Sequence, residues 1–473
     1  MNYLDYLKII FDNLIFIYAV IICLSYTVLA MFSAKLLYKY FKTNSFVDYT
    51  LILTSPFAPS ISMVAASFNE SKTIVDNIRA LLSLHYNNYE VIIVNDGSTD
   101  DSMEKIIRVY EMERVDYAVN YRLKTQIVRG IYKSKNKSYS NLIVVDKENG
   151  GKADALNAGM NISCKDYFVA IDVDCIIQPD ALLKLVKPIL DSGDRRVIAT
   201  GGVIRIANSC IFQDGYMVDV KLPKNIWARF QVLEYTRAFL MGRMAWSELN
   251  GLLIISGALG LFDRELTIQC GGYLTDTVGE DMELVVKIRK TMWDNGVKHH
   301  VAYVPDPLCW TEAPTNLNQL GRQRDRWTRG NMETLFIHRK MFFNPKYGKL
   351  GMLAYPYWFF FEWLAPIIEF LGISYVLILA LVGDVNWPFF LLMLCFIYAF
   401  AVTFSIWALL YEEMTFQKYK QRSDLFKLIL VAFIEPIIYH PLVVYWALHG
   451  NISYIRGVKK WGKMERTGFR KKK

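Results

Sequence analysis

The sequence predicts an α/β protein: a cytosolic domain built on a mostly parallel sheet, flanked by transmembrane and interfacial helices. Three observations carry that prediction. Strand and helix patterns alternate from residue 45 to about residue 345, and such alternation specifies a parallel, helix-covered sheet. Leu14 to Ala34 is a run of 21 residues without a charge, and ~20 apolar residues suffice to cross a bilayer core. Beyond residue 350 the chain turns apolar again.

Residues 1–44 form the first unit, with the span at about 14–34. Asp5, Lys8 and Asp12 precede the run, and Lys35, Lys39 and Lys42 follow it. The positive-inside rule then puts residue 1 outside and residues 35 onward in the cytoplasm. The run is too long for a signal-peptide core, and no small-residue cleavage site is obvious.

Residues 45–345 form the soluble unit. Strands are expected at Ile61 to Ser67, Val91 to Asn95, Asn141 to Val145, Tyr167 to Val173 and Val197 to Ile206. Helices are expected at Ser71 to Leu84, Lys152 to Met160 and Asp180 to Leu190. The motifs "NDGS" and "DVD" both fall at strand ends, where such sheets bind their ligands.

Residues 346–454 return to the membrane. Met352 to Val382 is interrupted by Glu362, Pro366 and Glu369, which reads as an interfacial segment followed by a span ending near Val382. After "GDVNW" comes a second span, Pro388 to Tyr411. The loop Glu412 to Asp424 carries Lys418, Lys420 and Arg422 and reads as cytoplasmic. Leu425 to Gly450 is interrupted by Glu435, Pro436, His440 and Pro441. A straight span there would put the tail outside; a kinked or re-entrant segment would return it to the cytoplasm. The acids in these segments read either as a polar path through the membrane or as interfacial residues.

The tail, residues 455–473, has nine basic residues and one acid from Arg456 onward, and accounts for most of the net charge of +9. Directly after a membrane segment, such a tail points to anionic lipid and the cytoplasmic side, not to nucleic acid. Composition excludes a disordered or fibrous chain, with 53% hydrophobic and 21% charged residues. The seven cysteines are scattered without a C-x-x-C pair, so neither a zinc site nor a disulfide framework is indicated.

Asp172 and Asp174 close a strand two residues apart, so both can point to one side. Hard carboxylate oxygens in that arrangement suit Mg2+ or Mn2+, with substrate phosphates and water completing the shell. In "NDGSTDD", residues 95–101, Asp96 is placed to accept from a base or ribose, though the same residues also suit helix capping. "NGGKADALNAG", residues 149–159, brings backbone close to a ligand and sets Lys152 at a helix start, where it can meet phosphate. "VGEDMELVVKIRK", residues 278–290, opens a helix with Glu280 and Asp281. Acids suit a helix start in any protein; beside a reaction centre one is a general base. "RQRDRWTRG", residues 322–330, packs arginines around Trp327; it reads as a solvated basic helix or as a diphosphate clamp with a stacking ring.

The ordered set "DGS", "GGK", "DVD", "GED" and "QRDRW" resembles the processive membrane β-glycosyltransferases of glycosyltransferase family 2. That group includes cellulose, hyaluronan, chitin and poly-N-acetylglucosamine synthases. The resemblance covers roughly residues 60–340 and implies a GT-A-type nucleotide-sugar-binding domain. It implies Phe68, Asn69, Glu70 and Asp96 at the uridine, Lys152 at the diphosphate, Asp172 facing the donor, and Asp174 on the metal. It further implies Asp281 as general base, with Glu280 beside it on the acceptor side. Gln323, Arg324 and Arg326 would hold the diphosphate, and Trp327 would floor the acceptor sugar. "SGALGLFDRE", residues 256–265, looks like the acceptor-side loop, and Gly279 stands where the family usually has Thr.

The expected activity is inverting, processive polymerisation of a UDP-sugar onto a growing β-linked polysaccharide, with extrusion across the plasma membrane by a multi-pass protein. "RWTRG" leans toward UDP-glucose over UDP-N-acetylglucosamine. The alternatives are transfer of one sugar to a lipid carrier, or a catalytically silent membrane scaffold.

Overall fold

The computed structural model describes residues 3–44, 47–213, 216–417, 419, 421–458 and 470–471. Lys418, Lys420 and most of the basic tail lie outside the described residues.

The chain enters as α1 (Tyr3–Asn44), an apolar helix that carries the expected span. Its far end is tied down by Lys8, which pairs with Asp384 at 2.8 Å, and by Asp12, which accepts from the Tyr375 hydroxyl at 3.0 Å. Its near end reaches the soluble domain, where the Tyr40 hydroxyl donates to Asp306. After α2 (Thr50–Thr54), the domain begins with β1 (Ile61–Ser67), α3 (Ile74–Leu82), β2 (Tyr89–Asp96), α4 (Ser102–Val109), β3 (Met112–Val115), β4 (Val128–Ser134) and β5 (Leu142–Lys147). It continues with α5 (Lys152–Ile162), β6 (Tyr167–Asp172), β7 (Ile176–Ile177), α6 (Ala181–Leu190) and β8 (Arg196–Ile206).

Ten strands form one sheet in the order β3-β4-β5-β2-β1-β6-β11-β8-β12-β7, where β11 is Leu259–Asp263 and β12 is His299–Thr311. β4, β7 and β11 run against the others; the centre, β5-β2-β1-β6, is parallel throughout. These central strands are near-continuous runs of Val, Ile and Ala because both faces are covered. A Cβ on Gly159 of α5 would meet Val64 at 2.2 Å, so the helix lies directly on the sheet. β1, β2 and β6 end level with one another: Ser67 pairs with Asn95, and Ala66 with Asp172. The expected strand and helix boundaries hold to within a few residues. The short strands β9 (Ile211–Gln213) and β10 (Tyr216–Asp219), and β3, β4, β7, β11 and β12, lie outside the expected set.

The second half adds α7 (Ile226–Thr236), a π-helical turn Arg237–Arg243, α8 (Met244–Glu248), α9 (Arg264–Gln269), α10 (Glu280–Asp294) and α11 (Leu317–Ile337). Residues 350–363 wind as π-helix around the short α12 (Tyr355–Tyr357), in the segment expected at the interface. Two long apolar helices follow, α13 (Ala365–Val382) and α14 (Trp387–Thr415), matching the two expected spans. The interrupted segment forms one continuous helix, α15 (Arg422–Ile455), through Pro436 and Pro441. Among the described residues, four helices (α1, α13, α14 and α15) are long and apolar enough to cross a membrane.

Candidate active site

The level ends of β1, β2 and β6 bring three loops together. Asn69 sits at φ 56°, its amide donating to Ser98 Oγ at 3.0 Å and its side chain accepting from the Thr99 amide at 2.8 Å. The "FNE" and "DGS" loops are thus braced against each other, leaving the Phe68 ring 49% exposed at the rim. Glu70 accepts from Thr73 at the start of α3.

Asp96 differs from expectation in what it touches. It is buried, its Oδ1 lies 2.5 Å from Lys147 Nζ, and its two oxygens accept from the Gly150 and Gly151 amides at 3.0 and 2.8 Å. Lys147 also pairs with Asp154 at 2.6 Å. The carboxylate therefore braces the "GGK" turn and pairs with Lys147. Gly151 at φ +87° ends the turn and launches α5 at Lys152.

Lys152 is the hub. Its Nζ lies 2.8 Å from Asp172 Oδ1, 3.0 Å from the Gly257 carbonyl and 3.7 Å from Asp281 Oδ2. Burial pushes its pKa down, but Asp172, Asp281 and Glu280 outweigh burial and raise it. Burial raises the Asp281 carboxyl, with Lys152 opposing, and pushes Glu280 up to about 7 with help from the Asp281 charge. A Cβ on Gly257 would sit 2.0 Å from Asp281 Oδ2, so the small residues of "SGALG" make room for the base. Asp172, Asp174 and Cys175 offer ligand atoms within 4.8 Å of one another. The two carboxylates give hard oxygens suited to Mg2+ or Mn2+; the thiol does not.

α10 and α11 meet glycine to glycine. A Cβ on Gly279 would lie 2.5 Å from the Gly330 carbonyl oxygen, which leaves no room for the usual threonine. On α11, Gln323, Arg326 and Trp327 share a face by their i, i+3, i+4 spacing and line the cavity in front of Asp281. Arg324 lines the same cavity; it is buried, donates to both Glu234 oxygens at 2.5 and 2.8 Å and to the Tyr439 hydroxyl at 3.0 Å. Its guanidinium also stacks 4.2 Å from the Trp327 ring centroid. That contact steadies the tryptophan, and Arg326 on the same helix acts electrostatically on Glu280 and Asp281. Glu234, on α7, has no motif around it and is visible only once the helices are packed.

The cavity holds about 1360 Å3 and runs without a break from Lys152, Asp172 and Asp281, past Trp327, to Tyr18, Glu369 and Tyr375 on the long apolar helices.

The chain belongs to the family described as glycosyltransferase like family 2, whose model matches residues 58–330. It is 28% identical over 315 residues to poly-beta-1,6-N-acetyl-D-glucosamine synthase of Staphylococcus aureus, covering 66% of this chain and 64% of that enzyme's length. The Staphylococcus epidermidis enzyme of the same name is 28% identical over 349 residues, covering 73% and 71%. A mannosyltransferase from Pyrobaculum calidifontis, solved in complex with GDP-Man and Mn2+, is similar in structure at 19% identity and a TM-score of 0.47, covering 88% of this chain and 98% of its own.

Proposed function

We propose that the protein is an inverting, metal-dependent synthase that polymerises UDP-N-acetylglucosamine into a β-linked polysaccharide and passes the chain into the membrane from a cytosolic catalytic domain. The observation that carries this reading is the cavity lined both by the Lys152–Asp172–Asp281 cluster and by residues of α1, α13 and α14, with Trp327 among its walls. The staphylococcal relatives, named as N-acetylglucosamine synthases, favour that sugar over the glucose suggested by "RWTRG".

In this mechanism Asp281 takes the proton from the acceptor hydroxyl, which its raised pKa suits. The hydroxyl oxygen attacks the anomeric carbon from the face opposite the diphosphate, so configuration inverts. Lys152 and Arg326 offset the charge that grows on the departing UDP, and Gln323 orients the diphosphate from the same helix face. Asp174, with Asp172, would hold Mg2+ or Mn2+, which supplies Lewis-acid neutralisation of the diphosphate when bound. Trp327 offers a flat apolar surface to the acceptor ring. Phe68, Asn69 and Glu70 border the nucleoside, and Asp96 acts one step behind them by fixing the glycine turn. Glu280 lies on the acceptor side of the base.

A second reading, transfer of a single sugar to a lipid carrier, is favoured by one observation: Ile15, Ile22, Val376, Leu379 and Met393 give the membrane half of the cavity an alkyl wall. One experiment tests both. Protein reconstituted in membranes is given Mg2+ or Mn2+ and each UDP-sugar in turn, and released UDP and product size are measured. A long polymer from UDP-N-acetylglucosamine, abolished by EDTA, is expected. Short lipid-linked product would replace the first reading with the second, and no release from any donor would overturn both.

A further inference from the structure

The turn that closes β6 holds more than two acids. Cys175 follows Asp174, and its amide donates to the Asp172 carbonyl at 2.9 Å. That turn brings ligand atoms of Asp172, Asp174 and Cys175 within 4.8 Å of one another. A second thiol stands behind the first. In the register of β7 against β12, Cys309 lies opposite Ile177, two residues on from Cys175. Alternate residues of a strand share a face, and the two thiols hydrogen-bond to each other. The Cys309 Sγ lies 3.9 Å from the Ala258 carbonyl oxygen, in the small-residue loop beside Asp281. Both cysteines are buried, and the transfer mechanism uses neither.

Two thiols and two carboxylates are a different donor set from two carboxylates alone. Mg2+ and Mn2+ favour oxygen and keep positions for water and phosphate. Zn2+ takes sulfur and oxygen together, in a closed tetrahedron. With bonds of ~2.3 Å to sulfur and ~2.0 Å to oxygen, its donors stand roughly 3.5 Å apart. That spacing falls inside the 4.8 Å of the cluster. Affinity for a given site also rises from Mn2+ to Zn2+. Lys152 holds one Asp172 oxygen at 2.8 Å, which leaves that residue its other oxygen for an ion.

We propose that Cys175 and Cys309 make the donor end of the cavity a capture site for thiophilic divalent cations, Zn2+ and Cd2+, and that such an ion blocks transfer. The ion binds Asp172, Asp174 and Cys175, with Cys309 as the further sulfur donor. Each thiol that ligates gives its proton to solvent as the metal–sulfur bond forms. A closed shell of four protein donors leaves the diphosphate no position, and Asp174 is then lost to Mg2+ or Mn2+. This rests on the reading of Asp172 and Asp174 as cation ligands, not on the identity of the sugar or the product.

Two measurements on the full chain test the proposal. On a background with the exposed Cys164 and Cys395 replaced by Ser, protein stripped of metal is titrated with Co2+, a spectroscopic stand-in for Zn2+. A sulfur-to-cobalt charge-transfer band in the near ultraviolet is expected, bleached by Zn2+, absent in Cys175→Ser and weakened in Cys309→Ser. No band, or one that both variants keep at full strength, would overturn the proposal. The band needs no donor and no turnover, so its outcome is separate from that of the synthase reading. The second measurement is UDP release under saturating Mn2+ with increasing Zn2+. The Zn2+ concentration that halves release should rise at least about tenfold in Cys175→Ser, measured against that variant's own uninhibited rate, since even outer contacts of a metal site are worth about 10–100-fold in affinity. An unchanged concentration would overturn the block.

Discussion

At the sheet end of the cavity, Lys152 stands among Asp172, Glu280 and Asp281. At the membrane end apolar walls such as Ile15, Ile22, Val376, Leu379 and Phe389 are interrupted by paired polar groups, Arg237 with Glu435, His440 with Glu369 and Tyr375 with Asp12. Charge is concentrated where a bond must break, and buried charge acts strongly there because the local dielectric is low. A neutral sugar chain needs the reverse: many weak apolar and aromatic contacts, none strong enough to hold it. The two halves are joined by Trp327 and by the glycine contact between α10 and α11.

The sharpest way to break this comparison is at the charged end. Asp281→Asn should lower UDP release by about 10³-fold, within the range for loss of a general base, while calorimetric UDP binding stays unchanged. Activity surviving in that variant would move the chemistry elsewhere. The joint comes next. Gly279→Val puts a side chain where a Cβ already lies 2.5 Å from the Gly330 oxygen. Overpacking of that kind costs about 1–3 kcal/mol, so thermal unfolding in detergent should fall by several degrees and turnover with it. At the start of the membrane half, Trp327→Ala removes the stacking surface, worth about 1 kcal/mol. Chain products should shorten and the apparent acceptor affinity drop several-fold, with donor hydrolysis retained.

The smallest effect is a pH dependence. Glu280 is held up to about 7, chiefly by burial. The unfolded chain loses this proton near the ordinary value of 4.5 while the folded chain keeps it until about 7. Stability therefore falls as pH rises through that window, and the deficit persists above it. Glu280→Gln should leave the melting temperature unchanged below the window and raise it by about 2 °C at alkaline pH, read by thermal unfolding across a pH series.

The difference between the halves also explains what was legible in the sequence. β1, β2, β5 and β6 are apolar, β-branched runs closed by turn residues, so the sheet centre and the strand-end motifs could be read directly. β4 and β11 each carry a glycine and run antiparallel, a pairing that no local pattern encodes. Lys152 and Asp281 were legible because each sits in its own local motif, although they meet only in the fold. Asp96 and Arg324 were not legible in their contacts, because Lys147, Glu234 and Tyr439 come from distant stretches with nothing to flag them. The π-helical segments and Gly257 were equally silent: one is a small shift in helix winding, the other an absence of side chain that matters only once Asp281 faces it.

One helix touches both extremes of the molecule. α1 is held at one end by Asp384 in the outer turn and at the other by Asp306 on β12, which also binds Lys184 of α6 at 2.9 Å. Over 42 residues without a break, it works as a strut, not as a tether. The catalytic sheet and the turn between α13 and α14 are thus fastened to the two ends of one continuous helix.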